Sequence, residues 1–301
     1  MKATVLVNRV GKNGIGETVA CLKDGDKALD ALEKGIRIVE SDPSVHSVGW
    51  GSWPNMSGEV ELDASLMDGN SRKCGSVGAL KGFRHPISVA KKVLEKLPHV
   101  LLAGEGAAQF ARECGEEEGD NLSEEAERKY REWLSGHEAL TGTDRAWATV
   151  DPESLKGTTV FITRWPGQGI STGVSTSGWA WKYPGRLGDS PVIGAGSYCD
   201  SRYGAGGCTG LGELTIRTNA SHLIVYYLKQ GLPVRDAVLN AAFEVDECMQ
   251  DLPGTVVLHA LDSGDDHFVC TVGAKQQIPY YYWEEGMNQP EKRESFLFGK
   301  K

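Results

Sequence analysis

Residues 156–213 read KGTTVFITRWPGQGISTGVSTSGWAWKYPGRLGDSPVIGAGSYCDSRYGAGGCTGLGE, and the fold is decided here. The opening KGTTVFITRW is rich in β-branched and aromatic residues and stops at Pro166-Gly167. Such side chains suit a pleated surface, and Pro-Gly reverses the chain. GISTGVSTSGWAW follows as a second strand, so the pair predicts a hairpin. Beyond it, residues 184–212 are dense in glycine. Upstream, ATVLVN (3–8) reads as a buried strand, followed by a glycine-rich turn. Ala28, Leu29, Leu32, Ile36 and Val39 at helical spacing predict a helix over 26–40. SVGWGSWPNMSGEVELDASLMDG (47–69) reads as strand, loop, strand, and its alternating end predicts a half-buried strand. HPISVAKKVLEKL predicts a helix opening at Pro86. HVLLAGEGAAQFAREC predicts a short strand and a helix. Residues 115–150 are crowded with charge and read as an exposed helix within a loose connection. Downstream, helices are predicted over 216–230 and 234–249, and TVVLHALD and HFVCTVGA close the chain as strands. Strands and helices cluster without strict β-α-β alternation. That predicts an α+β fold with sheets packed together and helices outside.

The chain has 301 residues and a net charge of −9. Nucleic acid and anionic membrane surfaces both require a basic face, so neither is expected as a partner. No apolar stretch is long enough to span a bilayer. MKATVLVNRVG lacks the hydrophobic region and cleavage site of a signal peptide. The seven cysteines are odd in number and form no C-x-x-C pair, as expected of reduced thiols in the cytoplasm without zinc.

Histidine chemistry is missing from the sequence. None of the seven histidines lies in a G-x-S-x-G or H-E-x-x-H setting. Gly11, Gly14 and Gly16 follow a strand, but no glycine falls three residues later, so the dinucleotide fingerprint is absent. A hydrolytic site here needs another nucleophile and another base.

Three segments in the opening stretch supply them by resemblance. PGRLGDSPVIGAGSYCD (184–200) resembles the P/H-G-R-V-G-D-S-P-x-x-G-A-G-x-Y-A-D stretch of glycosylasparaginases and plant-type asparaginases. GVSTSG (173–178) resembles their T-S-T-N/G-G, and CTGLGE (208–213) their T-G-x-G-E/D. The order and spacing are also those of the family. LVNRVGKNG, LDASLMDGNSRKCGSVGALKGFRHPISVAKKVLE and HVLLAGEGAAQFA are similar to its N-terminal half. The resemblance leaves out only about 115–155, where the family carries a variable linker. It implies the four-layer αββα sandwich of N-terminal nucleophile hydrolases.

The resemblance further implies a precursor that cuts itself before a threonine. The new N-terminal residue then supplies both hydroxyl and base. A hydroxyl needs an adjacent base, and an α-amine with a pKa of ~7.7–8.0 is partly neutral at working pH. The family nucleophile lies eighteen residues before the last Thr of T-S-T, which is Thr176 here, so Thr158 is expected. Thr159 is its rival, because Thr159-Val160 mimics the family's Thr-Val step. Cutting between Gly157 and Thr158 gives an α subunit, 1–157, and a β subunit, 158–301. Thr176 would tune the nucleophile. Arg186 would take the substrate α-carboxylate through a planar fork, and Asp189 the α-amine. Thr209 and the Gly210 N–H would form the oxyanion hole, and Gly212 would let the backbone approach the substrate.

The match departs from the family in places. Lys156-Gly157 replace the His-Asp of glycosylasparaginases, and Val160 stands where a glycine is usual. Val10 replaces a tryptophan that borders the sugar, while Trp53 offers a substitute aromatic or ordinary packing. The family's loop near 51–64 can hold sodium through backbone carbonyls. No other cofactor is implied, and the expected assembly is a dimer of αβ heterodimers. The leading expectation is hydrolysis of N4-(β-N-acetylglucosaminyl)-L-asparagine. β-Aspartyl peptide or L-asparagine hydrolysis is the alternative. An uncleaved binding homologue is the alternative from another class.

Overall fold

A computed structural model describes residues 2–147 and 157–299. The expected residue Lys156 and the end of the connection, 148–155, lie outside the described residues. Thirteen strands are described: β1 (Thr4–Asn8), β2 (Leu62–Asp68), β3 (Cys74–Leu80), β4 (Leu101–Ala103), β5 (Thr159–Trp165), β6 (Gly169–Thr176), β7 (Ser197–Asp200), β8 (Gly204–Gly210), β9 (Val256–Asp262), β10 (His267–Val272), β11 (Pro279–Glu284), β12 (Glu291–Glu294) and β13 (Phe296–Leu297). The helices are α1 (Ile15–Lys23), α2 (Ala28–Glu40), α3 (Pro86–Lys96), α4 (Gly104–Glu113), α5 (Glu124–Gly136), α6 (Gly142–Trp147), α7 (Gly212–Thr218), α8 (Ala220–Lys229) and α9 (Val234–Cys248). One sheet runs β12-β11-β1-β5-β6-β2-β3-β4, and the other β13-β10-β9-β8-β7.

Strand parity explains the layering. Alternate side chains leave a strand on opposite faces. In β5, Phe161 joins the apolar layer that carries Leu32 and Ile36 of α2 and Ile87 of α3. Its neighbours Val160 and Ile162 point the other way, into a layer shared with Ala205, Val257 and Val269 of the second sheet. In β9, Val256 and Leu258 turn outward to meet Ala237, Val238 and Ala241 of α9. Three apolar layers therefore separate four structural ones: helices, sheet, sheet, helices. This is the α+β, αββα sandwich expected of the N-terminal nucleophile hydrolase fold.

Several local expectations are corrected. β2 is not half-buried; its polar alternation faces the layer between the sheets rather than water. There Ser65 donates to Ser190 O at 2.6 Å, and Asp63 accepts from Ala79 N at 2.8 Å. Residues 47–50 form a turn instead of a strand. The glycine-rich turn leads directly into α1, which was hidden by Gly14 and Gly16. The single helix expected over 216–230 breaks at Asn219, whose φ of 48° is left-handed. β10 does not close the chain, because β11 returns to pair with β1. The connection is less loose than expected. Tyr130 and Trp133 of α5 pack on Trp181, with ring centroids 5.8 and 5.4 Å away.

Candidate active site

β5 is a central strand, held by β1 on one side and β6 on the other. This placement brings Thr158 to the C-terminal end of β6, where Thr176 stands. Thr158 Oγ1 donates to Thr176 Oγ1 at 3.3 Å. The Thr176 hydroxyl has one proton of its own, and its shortest acceptor is Gly157 O at 2.7 Å. Gly178 N donates to the same oxygen at 2.9 Å. The result is a short hydroxyl chain from Thr158 through Thr176 to the carbonyl of the peptide bond that precedes Thr158. Thr159 points to the opposite face, with Oγ1 3.5 Å from Asn8 Oδ1.

Asn8, at the end of β1, clamps this segment. Its Nδ2 donates to Thr158 O at 2.6 Å and its Oδ1 accepts from Val160 N at 3.1 Å. Ser47 O accepts from Ser177 N at 2.8 Å and lies 3.3 Å from Thr176 Oγ1. Val160, the bulky departure from the family pattern, is accommodated across the sheets. A Cβ at position 207 would lie 2.6 Å from Val160 Cγ2, so Gly207 provides the space that the strand itself does not.

Gly157, Thr158, Thr176, Gly178, Trp179, Arg186, Gly188, Asp189 and Gly210 surround a narrow recess. The space they leave is only about 10 Å³, on the order of one water molecule, so the uncut chain leaves no room for a substrate. Thr209, just before Gly210, and Gly212, two residues after it, are not part of the lining. Gly210 has a φ of 114° and lies against Thr255 O, a conformation and a contact that favour glycine.

The opposite wall is charged. Arg186 stacks on Trp179, 4.5 Å from the ring centroid. Its Nε and Nη2 donate to the Glu213 carboxylate at 2.9 and 2.7 Å. The fork expected to be open for a substrate is therefore occupied along that edge. Asp189 is buried, and Thr215 Oγ1 donates to its Oδ2 at 2.8 Å. Burial pushes the Asp189 carboxyl up to about 6, against the opposing effects of the Thr215 hydrogen bond and the Arg186 charge. Asn8, Ser47, Glu213 and Thr215 received no role from the sequence. Glu213 lies inside CTGLGE, but no local rule pairs it with an arginine 27 residues earlier.

Two further expectations meet the structure here. Trp53 is buried, stacks on His46 at 4.2 Å between centroids, and faces Trp181 at 5.9 Å. It packs in the aromatic cluster under α5 and does not line the recess. In the loop near 51–64, the buried Lys182 Nζ donates to Glu61 O at 3.2 Å and lies 3.8 Å from Glu61 Oε2. A sodium ion using that carbonyl would have to displace the Lys182 amine that donates to it, so Glu61 O does not fit as its ligand.

A family model described as Asparaginase matches residues 7–272. An N(4)-(Beta-N-acetylglucosaminyl)-L-asparaginase of Elizabethkingia miricola is 42% identical over 73% of this chain and 62% of its own length. A Plant-type L-asparaginase of Pyrococcus furiosus is 37% identical over 90% of this chain and 87% of its own. The human Isoaspartyl peptidase/L-asparaginase is 35% identical over 79% and 75%. The matched span runs through both walls of the recess, and the chain therefore belongs to the asparaginase family.

Proposed function

We propose that the chain is an N-terminal-threonine amidohydrolase that cuts itself between Gly157 and Thr158 and then hydrolyses the side-chain amide of asparagine-type substrates. The supporting observation is the hydroxyl chain from Thr158 through Thr176 to Gly157 O. It polarises the carbonyl to be attacked and leaves the Thr158 oxygen hydrogen-bonded beside it. The products are an α subunit, 1–157, and a β subunit, 158–301.

In the cut protein, the Thr158 α-amine takes the proton as Oγ1 bonds to the substrate carbonyl carbon. The Gly210 N–H, on the recess lining, and Thr209, the residue before it, would receive the resulting oxyanion. The C–N bond then breaks, and the leaving nitrogen receives the proton. Water adds to the acyl-threonine ester, and the free acid departs. Arg186 and Asp189 hold the α-carboxylate and α-amine of the aspartyl group. No step uses a metal.

The proposed lead substrate is N4-(β-N-acetylglucosaminyl)-L-asparagine, the compound in the name of the 42% identical relative. β-Aspartyl peptide or L-asparagine hydrolysis is the second reading, favoured by Trp53 lying outside the recess lining. The proposal includes a cytoplasmic location and a dimer of αβ heterodimers, to be read by fractionation and light scattering. Among the described residues no helix is long and apolar enough to cross a membrane. Intact-mass analysis of aged protein tests the central claim. Masses for 1–157 and 158–301 are expected, whereas a persistent full-length mass overturns self-cleavage. A cut after Thr158 moves the nucleophile to Thr159. Parallel kcat/KM values order the substrates, and a tenfold lead for β-aspartyl dipeptides would replace the first reading by the second.

A further inference from the structure

The first residues of α7 touch both charged groups of the substrate clamp. Glu213 accepts from Nε and Nη2 of Arg186, at 2.9 and 2.7 Å. Two residues later, Thr215 Oγ1 lies 2.8 Å from Asp189 Oδ2 and 2.9 Å from Gly212 O, and its single proton goes to the carboxylate, the nearer and stronger acceptor. Gly212 lies directly against Asp189, where a Cβ would come within 2.8 Å of Asp189 N. One short turn of helix thus meets a cation and an anion that sit three residues apart on a separate loop.

The contacts also determine which faces remain open. A guanidinium carries five N–H donors. Glu213 uses the Nε proton and one on Nη2, which leaves the end formed by Nη1 and Nη2. That end faces Gly178 and Gly188, both lining the recess: a Cβ at either would lie 3.1 or 2.9 Å from Nη1. On Asp189, Thr215 occupies Oδ2 and leaves Oδ1 without that partner.

We infer that Glu213 and Thr215 are positioning residues that set the selectivity for a free amino acid head group. Glu213 turns the Nη1/Nη2 end of Arg186 toward the substrate α-carboxylate. Thr215 holds Asp189 so that Oδ1 meets the α-ammonium. This rests on the proposed reading of Arg186 and Asp189 as the clamp. Neither residue touches the reacting carbonyl, so both act through binding. Thr215 has a second signature. Its hydrogen bond favours the ionised Asp189 against burial, so removing it moves the acid limb of binding to higher pH.

The test uses cleaved protein and three probes. L-asparagine has both α groups, succinamate lacks the α-amine, and L-asparaginamide lacks the α-carboxylate. KM is measured for the first and inhibition constants for the other two. Glu213→Gln should weaken L-asparagine and succinamate by about tenfold, the scale of a charge-assisted hydrogen bond, and leave L-asparaginamide within about twofold. Thr215→Val should weaken L-asparagine and L-asparaginamide, spare succinamate, and shift the acid limb upward; Thr215→Ser should restore all three. Self-cleavage, seen as two bands, reports that each variant has folded. Equal weakening of all three probes, or tighter L-asparagine binding by Glu213→Gln, overturns the inference. For a variant that stays uncut, Glu213→Asp and Thr215→Ala provide the same reading. If the wild-type protein does not separate L-asparagine from the truncated probes, the clamp itself is wrong and its brace falls with it.

Discussion

On one side of the recess, Thr158, Thr176 and Asn8 hold one another through neutral hydroxyl, amide and backbone contacts. On the other, Arg186, Asp189, Glu213 and Thr215 form a network with two carboxylates and a guanidinium. The neutral side needs no ionised group in the uncut chain, so its hydroxyls can be buried at modest cost once hydrogen-bonded. The charged side requires counter-charges before any substrate arrives. The contrast teaches that the two walls should fail differently. Damage to the neutral wall should appear in bond breaking, and damage to the charged wall in binding.

The largest effect expected is from Thr158→Ala. Losing its hydroxyl should abolish both self-cleavage and turnover, on a gel and in an amidase assay. Wild-type activity in this variant would break the comparison at its root. Thr176→Val removes the middle of the hydroxyl chain. Self-cleavage should slow by about 10²–10³-fold, the usual scale for one oxyanion donor, as followed by intact mass over time.

Across the recess, Arg186→Lys keeps the charge and loses the planar fork. KM for L-asparagine should rise about 10- to 30-fold with self-cleavage intact. An unchanged KM would remove Arg186 from the site. Acid should act on the same wall more weakly. With its carboxyl pushed up to about 6, Asp189 is ionised at pH 7 and largely neutral at pH 5. The attraction for an α-ammonium is therefore present above pH 6 and lost as the pH falls through it. Inhibition by L-aspartate, which is not hydrolysed, should weaken about five- to tenfold between pH 7 and 5. This avoids confusion with protonation of the Thr158 amine. The smallest effect should come from Trp53→Phe, outside both walls: kcat/KM for glycosylasparagine should stay within about twofold, since ring packing is kept. A larger loss would extend the site to the aromatic cluster.

The neutral wall was the more legible in the sequence. Thr158 and Thr176 belong to one hairpin, and the 18-residue spacing survives folding as a 3.3 Å contact. The opposing charges Arg186 and Asp189 were legible through GR-x-GDSP. Their braces were not, because Glu213 and Thr215 meet them only after α7 packs against another loop. Asn8 lies 150 residues from Thr158, and only the pairing of β1 with β5 makes them neighbours. The fold shows the same division. The hairpin β5–β6 and helices α2, α3 and α9 follow from local periodicity. The break at Asn219 and the return of β11 to β1 depend on tertiary packing.

The order of the large sheet carries a mechanical consequence for a chain cut before Thr158. β1 comes from the first product, and lies between β11 and β5 of the second. β5 and β6 in turn lie between β1 and β2. The two pieces would be interleaved like alternate staves of a cask, with no flat seam along which they could slide apart. Dilution alone would not separate them, because release of either piece requires several rows of backbone hydrogen bonds to open together. Scission would thus free a new chain end at the recess while the surrounding scaffold keeps its shape, and refolding from separated pieces would face a threading problem that the uncut chain never meets.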